Sequence, residues 1–316
     1  MRIFRHYTEL PAAVRGGVVA LGNFDGVHLG HQQVIGTAQE IARQRGLPCG
    51  VMTFEPHPRS VFKPDQPAFR LTPFRIKARL IEQMGLDFLV MQHFDHAFAA
   101  HSAEEFIEDA LLGGLGAAHV VVGYDYVFGH DRKGDGQLLQ TAGEAKGFGV
   151  TRLQAVTAED GEAYSSTRVR EYLVTAQPDQ AARLLGRDWE IEGRVEHGDA
   201  RGRLMGFPTA NVEMADYQRP ANGVYAVFAG IDTGTKTEWR PGVANFGRRP
   251  TFGKDSRLLE VHLFDFDGDL YGRHLRVALV AFLRPEHSFD GMDSLKAQIA
   301  QDCQKARTLL AQRRGP

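Results

Sequence analysis

Between Gly17 and Leu153 the chain alternates short apolar runs with helix-period stretches, and that alternation leaves few ways to fold. The runs are VVALGNF at 18–24, CGVMTF at 49–54, FLVM at 88–91, HVVVG at 119–123 and GVTRL at 149–153. Short apolar runs spaced by helical patterns predict βαβ units around a parallel sheet. After His31, residues Val34, Ile35, Ala38, Ile41 and Ala42 fall on one helical face, and Gly46 supplies a stop. Ser102, three residues before Glu105, has capping-box spacing, so a helix is expected to start there and carry Phe106, Ile107, Ala110 and Leu111.

The pattern changes near Gly186. Helical stretches at 167–174 and 179–185 lead up to it, and strand-like runs follow: WEIEGRV at 189–195, VYAVFAG at 224–230, LLEVHLF at 258–264 and HLRVALVAFL at 274–283. Gly, Pro and Asp turns between these runs predict an antiparallel barrel, followed by a helix over 293–313. A chain of 316 residues exceeds what one core usually supports, so two domains are expected, 1–186 and 187–316.

Charge and composition exclude several classes of partner. The net charge is −2 with no sustained Lys or Arg run, so no nucleic acid is expected. No segment approaches the ~20 apolar residues of a membrane helix and the N-terminus lacks a signal-like run, so no membrane partner and a cytoplasmic location are expected. Cys49 and Cys303 lie far apart without metal-ligand spacing and read as free thiols. The oligomeric state is left open, a homo-oligomer included.

The segment LGNFDGVHLGHQ at 21–32 takes an apolar strand straight into a helix, with Gly22, Gly26 and Gly30 permitting a tight turn and close backbone approach. Amide groups at the helix start favour an anion, and His28 and His31, three apart, can reach the same ligand. Imidazoles donate hydrogen bonds to phosphoryl oxygens and offset the charge that develops as pyrophosphate leaves. The plain alternative is that the glycines only serve the turn and the histidines only cap the helix. A zinc site lacks a third ligand nearby. SSTRVR at 165–170 offers hydroxyls and arginines before an apolar helical pattern, as a second anion site or as a simple cap.

Beyond Gly186, GRVEHGDARGRLMGFPTANV at 193–212 mixes glycines and arginines ahead of a PTAN run, which suits a phosphate cradle or a surface hairpin. Pro208 fixes the backbone so that the Thr209 hydroxyl and the Asn211 amide, two apart on an extended chain, share a face. Both are hard oxygen ligands suited to Mg²⁺ beside ATP phosphates. Glu260 lies inside an apolar run, LEVHLFDFDGDLYG at 259–272, where a carboxylate either faces solvent or is placed for chemistry.

These motifs carry a resemblance. G-x-F-D-G-V-H-x-G-H at 22–31 resembles the ATP-binding signature of the flavin branch of the HxGH nucleotidyltransferases. SSTRVR is similar to that branch's S-S-T-x-I-R element, and TFEPHPR at 53–59 is similar to its Pro-rich turn. VVGYDYVFGHDRKGD at 121–135 resembles its flavin loop, with Val127 where Arg is frequent. GFPTAN, E-V-H-x-x-D-F-D-G-D-L-Y-G from Glu260, and GVANFGRRPTFG at 242–253 resemble riboflavin kinase motifs. Together they cover nearly the whole chain and resemble the bacterial bifunctional riboflavin kinase/FMN adenylyltransferase family.

The resemblance implies an α/β plus β architecture: a Rossmann-like HxGH nucleotidyltransferase domain, then a small antiparallel β-barrel riboflavin kinase domain with a C-terminal helix. It implies an enzyme that phosphorylates riboflavin to FMN and adenylylates FMN to FAD, with ATP as co-substrate and Mg²⁺ as the metal. His28, His31 and Glu260 are its implied catalytic residues, Glu260 as general base. Gly22, Phe24, Asp125, Phe128, Ser165, Ser166, Thr167 and Arg168 are implied to bind ATP and flavin in the first domain. Gly198, Arg203, Gly206, Asn245 and Arg249 do so in the second, with Thr209 and Asn211 at the metal. A flavin carrier would need neither the histidine pair nor Glu260.

Overall fold

The computed structural model describes residues 1–197, 202, 205–214, 216–233, 236–248, 257–313 and 315–316. The chain forms two compact units, one of Met1–Pro67 with Thr72–Ser165, the other of Ala68–Leu71 with Ser166–Pro316.

The first unit holds strands β1 (Arg2–Phe4), β2 (Val18–Leu21), β3 (Cys49–Glu55), β4 (Phe88–His93), β5 (His119–Val122), β6 (Val127–Phe128), β7 (Gly134–Asp135) and β8 (Gly149–Arg152). Six of them form a parallel sheet in the order β1-β4-β3-β2-β5-β8, and β6 pairs with β7 as a short ribbon. All five expected runs are strands. The extra strand β1 is short and mostly exposed, so it leaves no apolar signature. β2 is buried along its length and β3 almost so, as expected of strands covered on both faces.

Alternate residues of each strand feed opposite cores. Val18 and Ala20 pack with Val34, Ile35 and Ala38 of the helix Leu29–Arg45, while Val19 and Leu21 pack with Phe106, Ile107 and Leu139. The Ser102 capping box is present: Ser102 Oγ accepts the Glu105 N–H at 3.1 Å, and the Glu105 carboxylate accepts the Ser102 N–H at 2.7 Å. The helix that follows departs from the expected α-helix. After one α-turn it is π-helical over Phe106–Gly114, with the Leu115 N–H reaching back to the Ala110 carbonyl. Its last turn carries Gly113 and Gly114, and Gly114 lies so close to Tyr7 that a Cβ there would sit 2.4 Å from the ring.

The second unit contains the helices Ser166–Val174 and Pro178–Leu185, then strands β9 (Trp189–Glu196), β10 (Ala210–Glu213), β11 (Gly223–Asp232), β12 (Thr237–Arg248), β13 (Arg257–Leu263) and β14 (His274–Arg284). These six close into an antiparallel barrel in the order β10-β13-β12-β11-β14-β9. Four were expected. β12 escapes pattern reading because Pro241 and two glycines break its alternation, and β10 hides inside the PTAN run. The helix Met292–Leu310 buries Cys303, Ala306 and Leu310 against Val224, Phe228, Val243 and Val280. Asp302 on that helix takes a bidentate contact from Arg284, Nη2 to Oδ2 at 2.8 Å and Nε to Oδ1 at 3.0 Å.

Both cysteines are buried and free. Burial, aided by the Asp87 charge, pushes the Cys49 thiol up to about 12. Burial, aided by Asp302 and opposed by Arg307, pushes the Cys303 thiol up to about 11. Neither is a nucleophile at neutral pH.

His119 opens β5 in a buried position, its Nε2 2.8 Å from Thr151 Oγ1. Burial first, and the Arg45 charge second, hold its pKa below the ordinary 6.5. The folded chain therefore keeps this ring neutral at pH values where the unfolded chain protonates it. The stability this ring confers is complete above about pH 6.5 and is lost as pH falls through the lowered folded value. Thermal unfolding at pH 7 and pH 5 checks this: His119→Gln should lose less melting temperature between the two than the parent does.

Candidate active sites

The turn between β2 and the helix Leu29–Arg45 is built under constraint. Gly26 has φ +91°, and two non-glycine residues also sit in left-handed backbone, Phe24 at +47° and β-branched Val27 at +44°. Such strain persists only where neighbours over-determine it. The Gly26 N–H donates to Thr72 Oγ1 at 2.8 Å, and the Thr72 N–H donates to the buried Asp25 carboxylate at 2.9 Å. Thr53 Oγ1 donates to the Asn23 carbonyl at 3.1 Å, and Lys77, wholly buried, donates to Thr53 and to Glu55 Oε1 at 3.0 Å.

His28 caps the helix: its Nδ1 accepts the His31 N–H at 3.2 Å. The capping alternative therefore holds for one nitrogen of one ring. An accepting Nδ1 carries no proton, so in the neutral ring the proton sits on Nε2, which becomes the donor. The rings of His28 and His31 stack at 3.6 Å with 19° between planes, and His31 meets the Phe24 ring edge-on at 5.3 Å. Gly30 packs closely here: a Cβ would stand 3.1 Å from Tyr164 and 3.2 Å from the His28 ring, so either side chain would have to give by a few tenths of an ångström. Phe24 is buried beneath the turn.

Sheet order explains why this turn faces a crevice. From β2 the chain proceeds to β3 and β4 on one side and returns to β5 on the other, so the strand order reverses at β2. Ligands in open α/β sheets bind at such a point, beyond the carboxyl ends. At that same edge stands an aromatic group that sequence reading missed. Phe54 in β3 meets Phe94 just beyond β4 at 5.9 Å, and Phe98 lies 5.9 Å from Phe54. Phe62, 58% exposed, meets Phe94 at 5.9 Å. The signal was present in TFEPHPR and the phenylalanines around it, though phenylalanines alone read equally as core.

Beyond β5, Asp125 is exposed, while Phe128 is buried against Phe106 at 5.3 Å and stacks on Tyr126 at 5.8 Å. Ser165 ends the first unit, and Ser166, Thr167 and Arg168 open the helix Ser166–Val174 in the second. Arg168 donates to the Tyr172 hydroxyl at 3.3 Å.

In the barrel, strand register assembles what the sequence scatters. Asn211 on β10 stands opposite Glu260 on β13, and Asn245 on β12 stands opposite Glu260 from the other side. Directly opposed residues share a face, so the three form one row across adjacent strands. Asn245 Nδ2 donates to Glu286 Oε1 at 3.0 Å. Asn211 is 3% exposed, and its Oδ1 has no hydrogen-bond partner among the described residues. A buried amide oxygen left unpaired is costly unless a ligand satisfies it. With the Thr209 hydroxyl two residues away, this donor set fits a hard divalent cation. Gly206, at φ +87°, turns the chain ahead of Phe207 and Pro208. Gly198, Arg203 and Arg249 lie outside the described residues.

An α/β sheet bearing an HxGH turn, joined in one chain to a closed barrel bearing an Asn-Glu-Asn row, defines a two-site architecture. The FAD synthetase family model matches residues 10–168 and the riboflavin kinase family model residues 185–310. The bifunctional riboflavin kinase/FMN adenylyltransferase of Escherichia coli (strain K12) is 44% identical over 308 residues, 97% of each chain. The protein of the same description from Bacillus subtilis (strain 168) is 40% identical over 294 residues, 92% of this chain and 91% of that one. A solved structure from Streptococcus pneumoniae, described as a macrolide-efflux protein, superposes with a TM-score of 0.83 at 32% identity, covering 95% of this chain and 96% of that one. Among the described residues no helix is long and apolar enough to cross a membrane. The chain belongs to the bifunctional riboflavin kinase/FMN adenylyltransferase family.

The strained turn depends on Thr72, which both accepts and donates within it. Thr72→Val should leave the Gly26 amide buried without its acceptor and destabilise the protein by about 1–3 kcal/mol, read from urea unfolding midpoints. Thr37→Val, at a half-buried helical position where the hydroxyl's bond to the Gln33 carbonyl is solvent-exposed, should stay within about 0.5 kcal/mol of the parent.

Proposed function

We propose that this chain makes FMN from riboflavin in its barrel and FAD from FMN at the HxGH turn, each step consuming ATP, with the functional boundary at Gly186. The observation that carries the reading is the row Asn211, Glu260 and Asn245, which sets a carboxylate beside a buried, unpartnered amide oxygen. Membership of a family whose members are named for both activities supports it.

At the barrel site the riboflavin 5′-hydroxyl gives its proton to Glu260 as its oxygen attacks the γ-phosphorus, and ADP leaves. Thr209 and Asn211 would hold Mg²⁺, which when bound neutralises charge on the ATP phosphates. Gly206 and Asn245 line the nucleotide and flavin.

At the sheet site an FMN phosphate oxygen attacks the α-phosphorus of a second ATP, and pyrophosphate leaves. His28 donates through Nε2, and His31 meets the developing negative charge, while Ser165, Ser166, Thr167 and Arg168 offer hydroxyls and a guanidinium suited to phosphate oxygens. Gly22 and Phe24 shape the turn so that its backbone approaches the phosphates. Asp125 and Phe128 border the flavin, and the Phe54–Phe62–Phe94 group offers its ring an apolar seat. Riboflavin, FMN, FAD and ATP are thus the partners, and an ATP-consuming pair of reactions belongs in the cytoplasm.

A chromatographic time course with riboflavin, ATP and Mg²⁺ tests this: FMN should appear first and FAD should follow. His28→Ala should cut FAD formation about 10²–10³-fold while FMN still accumulates. Glu260→Ala should cut FMN formation about 10²–10⁴-fold, while supplied FMN is still converted to FAD. No conversion of either flavin by folded protein would remove the enzymatic reading.

A further inference from the structure

We infer that His262 is a positioning residue of the barrel site, holding the segment that carries Thr209 against the strand that carries Glu260; this rests on reading the barrel as a riboflavin kinase. Glu260 and His262 are two apart on β13 and therefore share a face, while Leu259, Val261 and Leu263 between and beside them are buried. The β10–β13 ladder runs through Asn211 opposite Glu260 and stops at Ala210 opposite Val261. The next pair in that register would be Thr209 and His262.

There the backbone ladder is replaced by a side chain. His262 Nδ1 lies 2.8 Å from the Pro208 carbonyl oxygen. A carbonyl only accepts, so Nδ1 carries the proton and donates. The same ring meets Phe207 edge-on at 5.6 Å and Phe264 at 5.9 Å, so it grips two consecutive residues, Phe207 and Pro208. Proline has few backbone states, so fixing its carbonyl orients the peptide that leads directly into Thr209. The bond thereby sets the Thr209 hydroxyl relative to Asn211 and Glu260, groups the ladder already holds in register.

Three substitutions separate this role from packing. Phe at 262 keeps a ring between Phe207 and Phe264 but cannot donate. Asn places an N–H near the position of Nδ1, and Gln places one near Nε2. The Mg²⁺ concentration for half-maximal riboflavin phosphorylation should rise about 5–10-fold in His262→Phe and His262→Gln, the size of one lost positioning hydrogen bond, and stay within about 2-fold of the parent in His262→Asn. The same ordering should appear without turnover, in the Mg²⁺ dependence of riboflavin fluorescence quenching with ADP present.

FAD formation from supplied FMN should be unchanged throughout, and the urea unfolding midpoint of each full-length variant reports whether its barrel is folded. An unshifted Mg²⁺ dependence in His262→Phe, or equal shifts in the Asn and Gln variants, would overturn the assignment. Should the Phe variant fail to fold, the Asn and Gln pair alone decides. Failure of the parent to phosphorylate riboflavin would instead remove the kinase reading on which the assignment rests.

Discussion

Two non-glycine residues held at positive φ, Phe24 and Val27, are the constraint around which the first unit is organised. Left-handed backbone costs on the order of 1–3 kcal/mol per residue, most for a β-branched side chain. Around these two residues a set of buried polar contacts closes on the turn from two directions. Thr72 and Asp25 hold its far end, and Lys77, Thr53 and Glu55 brace its start through the Asn23 carbonyl. A lysine without solvent exposure is expensive to bury alone, so its pairing with Glu55 ties the ends of β3 and the turn to one geometry. The reward for that geometry is local: His28 and His31 stack over the helix start, at the carboxyl edge where the strand order reverses.

The barrel reaches a functional arrangement by other means. No strained turn is needed where register alone sets positions. Asn211, Glu260 and Asn245 are separated by up to 49 residues of sequence between Asn211 and Glu260, yet antiparallel pairing places them side by side. A slip of one residue in either ladder would send Glu260 to the opposite face among Leu259 and Val261, so the buried side of β13 enforces the polar side. The hydrophobic face of the strand is thus what fixes the polar row on the other.

Much of this is legible in the sequence, for physical reasons that differ by element. The four inner parallel strands, β2 to β5, showed because burial on both faces demands unbroken apolar runs, and the helix Leu29–Arg45 showed because one face is buried at helical spacing. β12 did not show, because Pro241 and its glycines carry no alternation and the strand is specified by its neighbours. The π-helical turn after Glu105 was illegible too: a capping box marks where a helix starts and is silent about its pitch. Among the proposed site residues, His28, His31 and Glu260 stood out by motif. The aromatic group of Phe54, Phe62, Phe94 and Phe98 did not, since only the fold reveals that segments 40 residues apart end at one sheet edge.

Histidine shows how the same side chain is set to different tasks by whatever its first nitrogen meets. At His28, Nδ1 faces a backbone N–H and must accept, which places the proton on Nε2 and makes the outer nitrogen a donor suited to phosphate oxygens. At His262, Nδ1 faces a carbonyl and must donate, which leaves the outer nitrogen of the neutral ring as an acceptor with nothing to offer an anion. A single rule, that an amide hydrogen donates and a carbonyl accepts, therefore makes the outer nitrogen of the neutral ring a donor at one histidine and an acceptor at the other. The distinction is invisible in the residue name and follows from the backbone group placed 3.2 Å away in one case and 2.8 Å away in the other.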